Sequence, residues 1–97
     1  MEKNRYHYDF LEHVPFRAVQ DSLLLAVLAA EGLHGESRVR LDASYCLDKR
    51  QRTCVVNATT TVGRDINRIL TGFLIRQFGR HAFRVERLNA CPRAKTT

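Results

Sequence analysis

The chain has no long apolar run. Its longest, Leu23 to Ala30, is eight residues, against the roughly 18 to 20 that a membrane span needs, so it fits inside one soluble helix. The start, Met1-Glu2-Lys3-Asn4-Arg5-Tyr6, lacks both the apolar core and the small-residue cleavage site of a secretory leader, and a cytoplasmic location is the expectation. Internal repeats and low-complexity segments are also missing. Cysteine is scarce: Cys46, Cys54 and Cys91 are an odd set with no CxxC pair, which argues against a disulfide framework or a zinc site. His7, His13, His34 and His81 form no i, i+4 pair, so no metal ligand set is expected, and no cofactor.

What is present is the material of one small domain. The 97 residues are 44% apolar and 27% charged, a globular balance, and too few for two independent cores. Net charge is +6, unevenly spread. Residues 1–35 carry three basic and five acidic side chains, and residues 36–97 carry thirteen and five. Residues 1–90 are expected to form the domain and 91–97 a flexible C-terminal tail.

Six segments are legible. Tyr6, Tyr8 and Phe10 alternate with polar residues between Arg5 and Glu12, the period of a half-buried strand. A helix is expected from Pro15, a good first helical residue, to about Leu33. Its stripe is Phe16, Val19, Leu23, Val27 and Ala30. Val39, Leu41, Ala43, Tyr45 and Leu47 alternate with Arg38, Arg40, Asp42, Ser44 and Cys46 and suggest a second strand. Asp48-Lys49-Arg50-Gln51 makes a turn, and Thr53 to Thr59 a third strand. Pairing Leu47 with Arg52 brings Tyr45 opposite Cys54, Ala43 opposite Val56 and Leu41 opposite Ala58. That register puts Cys46 and Cys54 on opposite faces, as free thiols. A second helix follows from Thr61 to Phe78, capped by one of Thr59, Thr60 or Thr61 and closed by Gly79. Its stripe is Val62, Ile66, Ile69, Leu70, Phe73 and Leu74. Ala82 to Leu88 reads as a last short strand.

The order β-α-β-β-α-β is the ferredoxin-like arrangement. Right-handed crossovers place both helices on one face of a four-stranded antiparallel sheet, strands one and three central and two and four at the edges.

Five features are candidates for function. On the first helix, Leu24, Leu25 and Leu28 lie roughly 100–180° from the buried stripe at 100° per residue, with Arg17, Asp21 and Glu31 as their charged neighbours. Such a face suits a partner or a second copy of the chain. Lys49, Arg50 and Arg52 at the hairpin tip, with Arg64 and Arg68 on the second helix, could attract phosphate backbones. The open sheet face (His7, Asp9, Arg40, Asp42, Thr53, Val55, Asn57, Arg84, Glu86) has no aromatic pair of the kind RNA-recognition sheets use. In His13-Val14-Pro15-Phe16-Arg17, an arginine at a helix start could hold an anion. The junction Thr59-Thr60-Thr61-Val62-Gly63-Arg64 offers hydroxyls at a helix N-terminus, without P-loop spacing. Cys46 sits on the open face with no histidine expected beside it.

Val14 to Ala18 resembles the Phe-Arg end of the phosphate-binding loop of acylphosphatases, which share the βαββαβ plan. Glu12-His13 and Pro15 stand where that family has its glycine-bearing loop. Its second-strand asparagine is unmatched, with Asp42 and Ser44 in that region and Asn57 on the third strand. The resemblance implies phosphate-handling chemistry, with Arg17 on the anion. Taken together, the expectation is a non-enzymatic association module using helix one. Nucleic-acid binding ranks second and acyl-phosphate hydrolysis third.

Overall fold

The computed structural model describes residues 4–88. The expected tail, and Cys91 within it, lie outside the described residues. The order is β1 (Arg5–Phe10), α1 (Phe16–His34), α2 (Glu36–Asp42), β2 (Tyr45–Asp48), β3 (Thr53–Asn57), α3 (Thr61–Phe78), a 3-10 turn (Arg80–Ala82) and β4 (Phe83–Leu88). It is an α+β chain with one four-stranded antiparallel sheet of order β2-β3-β1-β4 and three helices. Among the described residues no helix is long and apolar enough to cross a membrane.

Alternation on β1 fixes which face of the sheet is covered. Tyr8 and Phe10 are buried, stack at 6.2 Å, and both meet Phe83 of β4 at 6.0 to 6.1 Å. Phe10 also meets Phe16 of α1 edge-on. Cys54 and Val56 of β3 join this face, and α1 and α3 lie over it. The two helices run antiparallel, tied at both ends. Gln77 Nε2 donates to Ser22 Oγ at 2.7 Å, and His34 Nε2 lies 2.7 Å from Asp65 Oδ2. Those ties are twelve residues apart on each helix, about 18 Å at 1.5 Å per residue.

α1 begins one residue later than expected. Pro15 is its cap, in extended conformation, and not its first helical residue. α3 matches the expected span. Thr60 caps it by accepting from the Gly63 N–H at 3.0 Å, and Gly79, at φ 86°, closes it. Ile69 and Phe73, expected in its buried stripe, are half-buried against the core.

The second strand needs correction. Glu36–Asp42 is helical, and only Tyr45–Asp48 is strand. Gly35, at φ 89°, ends α1 and starts α2 in one step, a conformation that favours glycine. Two i, i+4 ion pairs then run along α2: Arg40 to Glu36 at 2.9 Å and Arg38 to Asp42 at 2.8 Å. Val39 is its one buried side chain and Leu41 is 82% exposed. The sequence pattern misled because Val39 and Ala43 share a side at period two and at period 3.6 alike. Arg40 and Asp42 therefore leave the open sheet face, and Leu41 has no place opposite Ala58.

The hairpin register is also two residues from the expected one. Leu47 lies opposite Cys54, Tyr45 opposite Val56 and Asp48 opposite Thr53. A two-residue shift preserves facing, so Cys46 and Cys54 remain on opposite sides, both free, one exposed and one buried.

Candidate functional site

The outer face of α1 is open. Leu24, Leu25 and Leu28 are 58%, 53% and 50% exposed. Their helix is built so that Phe16, Val19, Leu23, Val27 and Ala30 go inward. α3 covers one flank of α1 and α2 sits at its end, and neither reaches these three. Arg17 and Asp21 are exposed beside them, and Glu31 is half-buried. Arg17, Leu24 and Glu31 are spaced by seven residues, so they fall within about 20° of one line along the helix. A cation stands at one end of that line, an anion at the other and a leucine midway. Gly32, exposed on the same side, has nothing within 4 Å of a Cβ position, so the chain's own packing does not require a glycine there.

The basic candidates are not brought together. Lys49 and Arg50 are exposed at the hairpin tip. Arg64 is at the start of α3, beyond the other end of β3, and donates to Thr61 Oγ1 at 3.2 Å. Arg68 is exposed one turn further along. Arg52 is turned inward. Its guanidinium donates to the Leu11 carbonyl at 2.9 Å and to that of Val14. Its Nε is buried without a partner, and its backbone has φ 58°. Arg52 is a clamp between the hairpin and the β1–α1 connection, a role the sequence reading did not assign.

That clamp defines the His13–Arg17 turn. The turn presents carbonyl oxygens, those of Leu11 and Val14, to a cation, the reverse of the convergent N–H groups an anion cradle needs. Arg17 points to solvent. At the Thr59–Arg64 junction the hydroxyls are already engaged. Thr60 Oγ1 donates to the Asp42 carbonyl, Thr59 Oγ1 accepts from the Asn4 N–H, and Thr61 Oγ1 accepts from Arg64.

Cys46 and His7 share a row of the open face, with Val55 between them. Two strand spacings, about 10 Å, separate their backbones. His7 Nδ1 lies 3.6 Å from Asp9. Burial pushes the Cys54 thiol up to about 12. Burial also raises the Tyr8 phenol to about 12, a shift that the adjacent Thr71 hydroxyl opposes. Tyr8 donates to Asn67 Oδ1 at 2.5 Å and lies 2.7 Å from Thr71 Oγ1, so it ties the sheet to α3. Among the described residues no group of three or more His, Cys, Asp or Glu could hold a metal ion. A comparison with known proteins finds no family model and no curated protein that matches the chain.

Proposed function

We infer that the chain is a ferredoxin-like βαββαβ sandwich with one helix added after α1, and that it works by self-association through the outer face of α1. The strand order, with β1 and β3 central, supports the first statement. The charge pattern of α1 supports the second. If two copies of α1 pack antiparallel about a two-fold axis at Leu24, that leucine meets its own copy. Arg17 then lies opposite the partner's Glu31, and Glu31 opposite the partner's Arg17, because each is seven residues from the axis. A two-fold interface must be self-complementary in this way. Withdrawing a half-exposed leucine from water contributes about 1 kcal/mol. Six from two copies fall in the range of the association cost, which makes the pairing concentration-dependent.

Light scattering across a concentration series tests this. The wild-type chain approaches twice its 11.2 kDa mass as concentration rises, and the double variant Leu24→Glu, Leu28→Glu stays monomeric with unchanged helicity. Arg17→Glu and Glu31→Arg each weaken the dimer, and their combination restores it. A wild type that remains monomeric at the highest concentration removes the reading. A dimer indifferent to the leucine changes places the interface elsewhere.

A further inference from the structure

We propose that β4 pairs edge to edge with the β4 of a second copy of the chain, antiparallel about a two-fold axis at Val85, joining the two sheets into one. β4 is an edge strand of six residues in unbroken register with β1. Among the described residues nothing pairs with its outer side, and such an edge is a template for a further strand.

The β1–β4 ladder shows which main-chain groups are open. Along an antiparallel pair, opposite residues alternate between those that exchange hydrogen bonds and those that do not. The Leu11 N–H donates to the Ala82 carbonyl at 3.1 Å, and that pair continues the β1–β4 register. Arg84, Glu86 and Leu88, at two-residue steps from Ala82, therefore turn their N–H and C=O groups toward β1. The Phe10 N–H agrees, since it points the other way, to the Arg52 carbonyl. Phe83, Val85 and Arg87 are left facing outward. An axis at Val85 pairs these three with the partner's Arg87, Val85 and Phe83, so every outward group of the strand is used. An axis at Arg84 or at Glu86 matches only two of the three within the strand.

Charge selects the same axis. Arg84 and Glu86 are exposed on the sheet face away from the helices, beside Asp9 and His7. Among the described residues neither makes an ion pair. With the axis at Val85, Arg84 stands opposite the partner's Glu86, and Glu86 opposite the partner's Arg84. Both are non-hydrogen-bonded positions, where cross-strand side chains come closest. An axis at Arg84 would set that arginine against itself, and an axis at Glu86 would set glutamate against glutamate. On the helix side Val85 meets the partner's Val85. It borders two hollows of about 390 and about 290 Å³, with Tyr6, Ile75 and Phe83 in their walls, so the approaching valine meets apolar surface.

This contact uses a different surface from the α1 leucines and does not rest on them. It hides less apolar surface than six leucines do, so it forms at higher concentration than the α1 contact. Wild type should grow past twice its mass only above the range in which α1 pairs.

The test is made in the Leu24→Glu, Leu28→Glu chain, which removes the α1 contact and so separates the two readings. Amide exchange is followed by NMR as concentration rises to about 1 mM. It is expected to slow at least about threefold at Phe83, Val85 and Arg87, more than at Arg84 and Glu86, which β1 already protects, and to stay unchanged in α1. Adding Arg84→Glu sets glutamate against the partner's Glu86, and adding Glu86→Arg sets arginine against the partner's Arg84. Each change alone should abolish the slowing. An equal mixture of the two variants has opposite charges at both positions and should restore it, which also shows that both variants are folded. Absence of slowing by about 1 mM, equal slowing at odd and even positions of β4, or a mixture that behaves as its components do overturns the proposal. Protection of the outward amides that is complete at the lowest concentration also overturns it and assigns the edge to the chain's own residues 89–97.

Discussion

Gly63 lies against the backbone carbonyl of Asn57, so close that a Cβ at position 63 would fall deep inside van der Waals contact with that oxygen. The first turn of α3 thus rests directly on the end of β3, and backbone cannot move aside as a side-chain tip can. Gly63→Ala should therefore destabilise the fold by about 2 kcal/mol or more, the cost of overpacking against a rigid neighbour. Gly72 is the control. It is also within α3, with nothing within 4 Å of its Cβ position, and Gly72→Ala should stabilise by up to about 1 kcal/mol through helix propensity. Urea denaturation of the two variants should move the midpoint in opposite directions.

The Arg52 clamp yields a second prediction with two separable parts. Hydrogen bonds from a charged donor contribute about 1.5 to 3 kcal/mol, so Arg52→Ala should destabilise by about that much. An alanine at φ 58° keeps the strain of left-handed backbone, about 1 to 2 kcal/mol. Arg52→Gly removes that strain and should be the more stable of the two, though still below wild type. Equal stabilities for alanine and glycine would show that the left-handed conformation is not retained. A wild-type-like alanine variant would show that the guanidinium contributes nothing.

The central elements were readable because one period dominated each. On β1 the aromatic alternation has no helical counterpart, and on α3 the stripe persists for several turns. Residues 35–48 are different. Val39 and Ala43 fit either period, and the discriminating signs were electrostatic: Glu36 with Arg40, and Arg38 with Asp42, at helical spacing after a glycine. Reading Arg38 and Arg40 as the polar face of a strand overlooked the acids four residues from each. The hairpin register slipped by two because a two-residue shift leaves every side chain on its own face, so burial alone does not choose between them.

Alkaline titration should expose the Tyr8 contact. The phenol is raised to about 12 in the fold from an ordinary 10.0. Its contribution is therefore fully present below pH 10 and is lost as pH rises from 10 to 12. Cys54, raised to about 12 from 9.0, adds a decline that begins nearer pH 9. Tyr8→Phe should cost about 1 to 2 kcal/mol at pH 7, because Asn67 Oδ1 loses its donor. The same variant should show a shallower loss of stability between pH 10 and 12. An unchanged alkaline slope would mean that the phenol titrates as it does in the unfolded chain.

Legibility of the candidate sites followed a similar line. The leucines of α1 could be found from helical angle alone, since they lie off the stripe that faces the sheet. The role of Arg52 could not, because a side chain that folds back onto carbonyls forty residues away has the same sequence signature as a solvated cation at a turn. The edge position of β4 was legible, since the β-α-β-β-α-β order puts the fourth strand at an edge of the sheet.

The two described cysteines make the facing of the hairpin directly measurable. Cys46 is exposed on the open sheet face, and Cys54 is buried with its thiol held protonated to about pH 12. Only the thiolate reacts with iodoacetamide. At pH 8 the exposed Cys46 should therefore be alkylated far faster than Cys54. Cys54 should be modified only as fast as the domain opens. Gly63→Ala should speed labelling of Cys54 by roughly tenfold per 1.4 kcal/mol lost if opening is global and fast to reclose, leaving Cys46 unaffected. Peptide-level mass spectrometry over time separates the two sites. Comparable rates at both would show that the hairpin face carrying Cys54 is not covered by α1 and α3, and a fast Cys54 beside a slow Cys46 would reverse the whole assignment of inside and outside on the sheet.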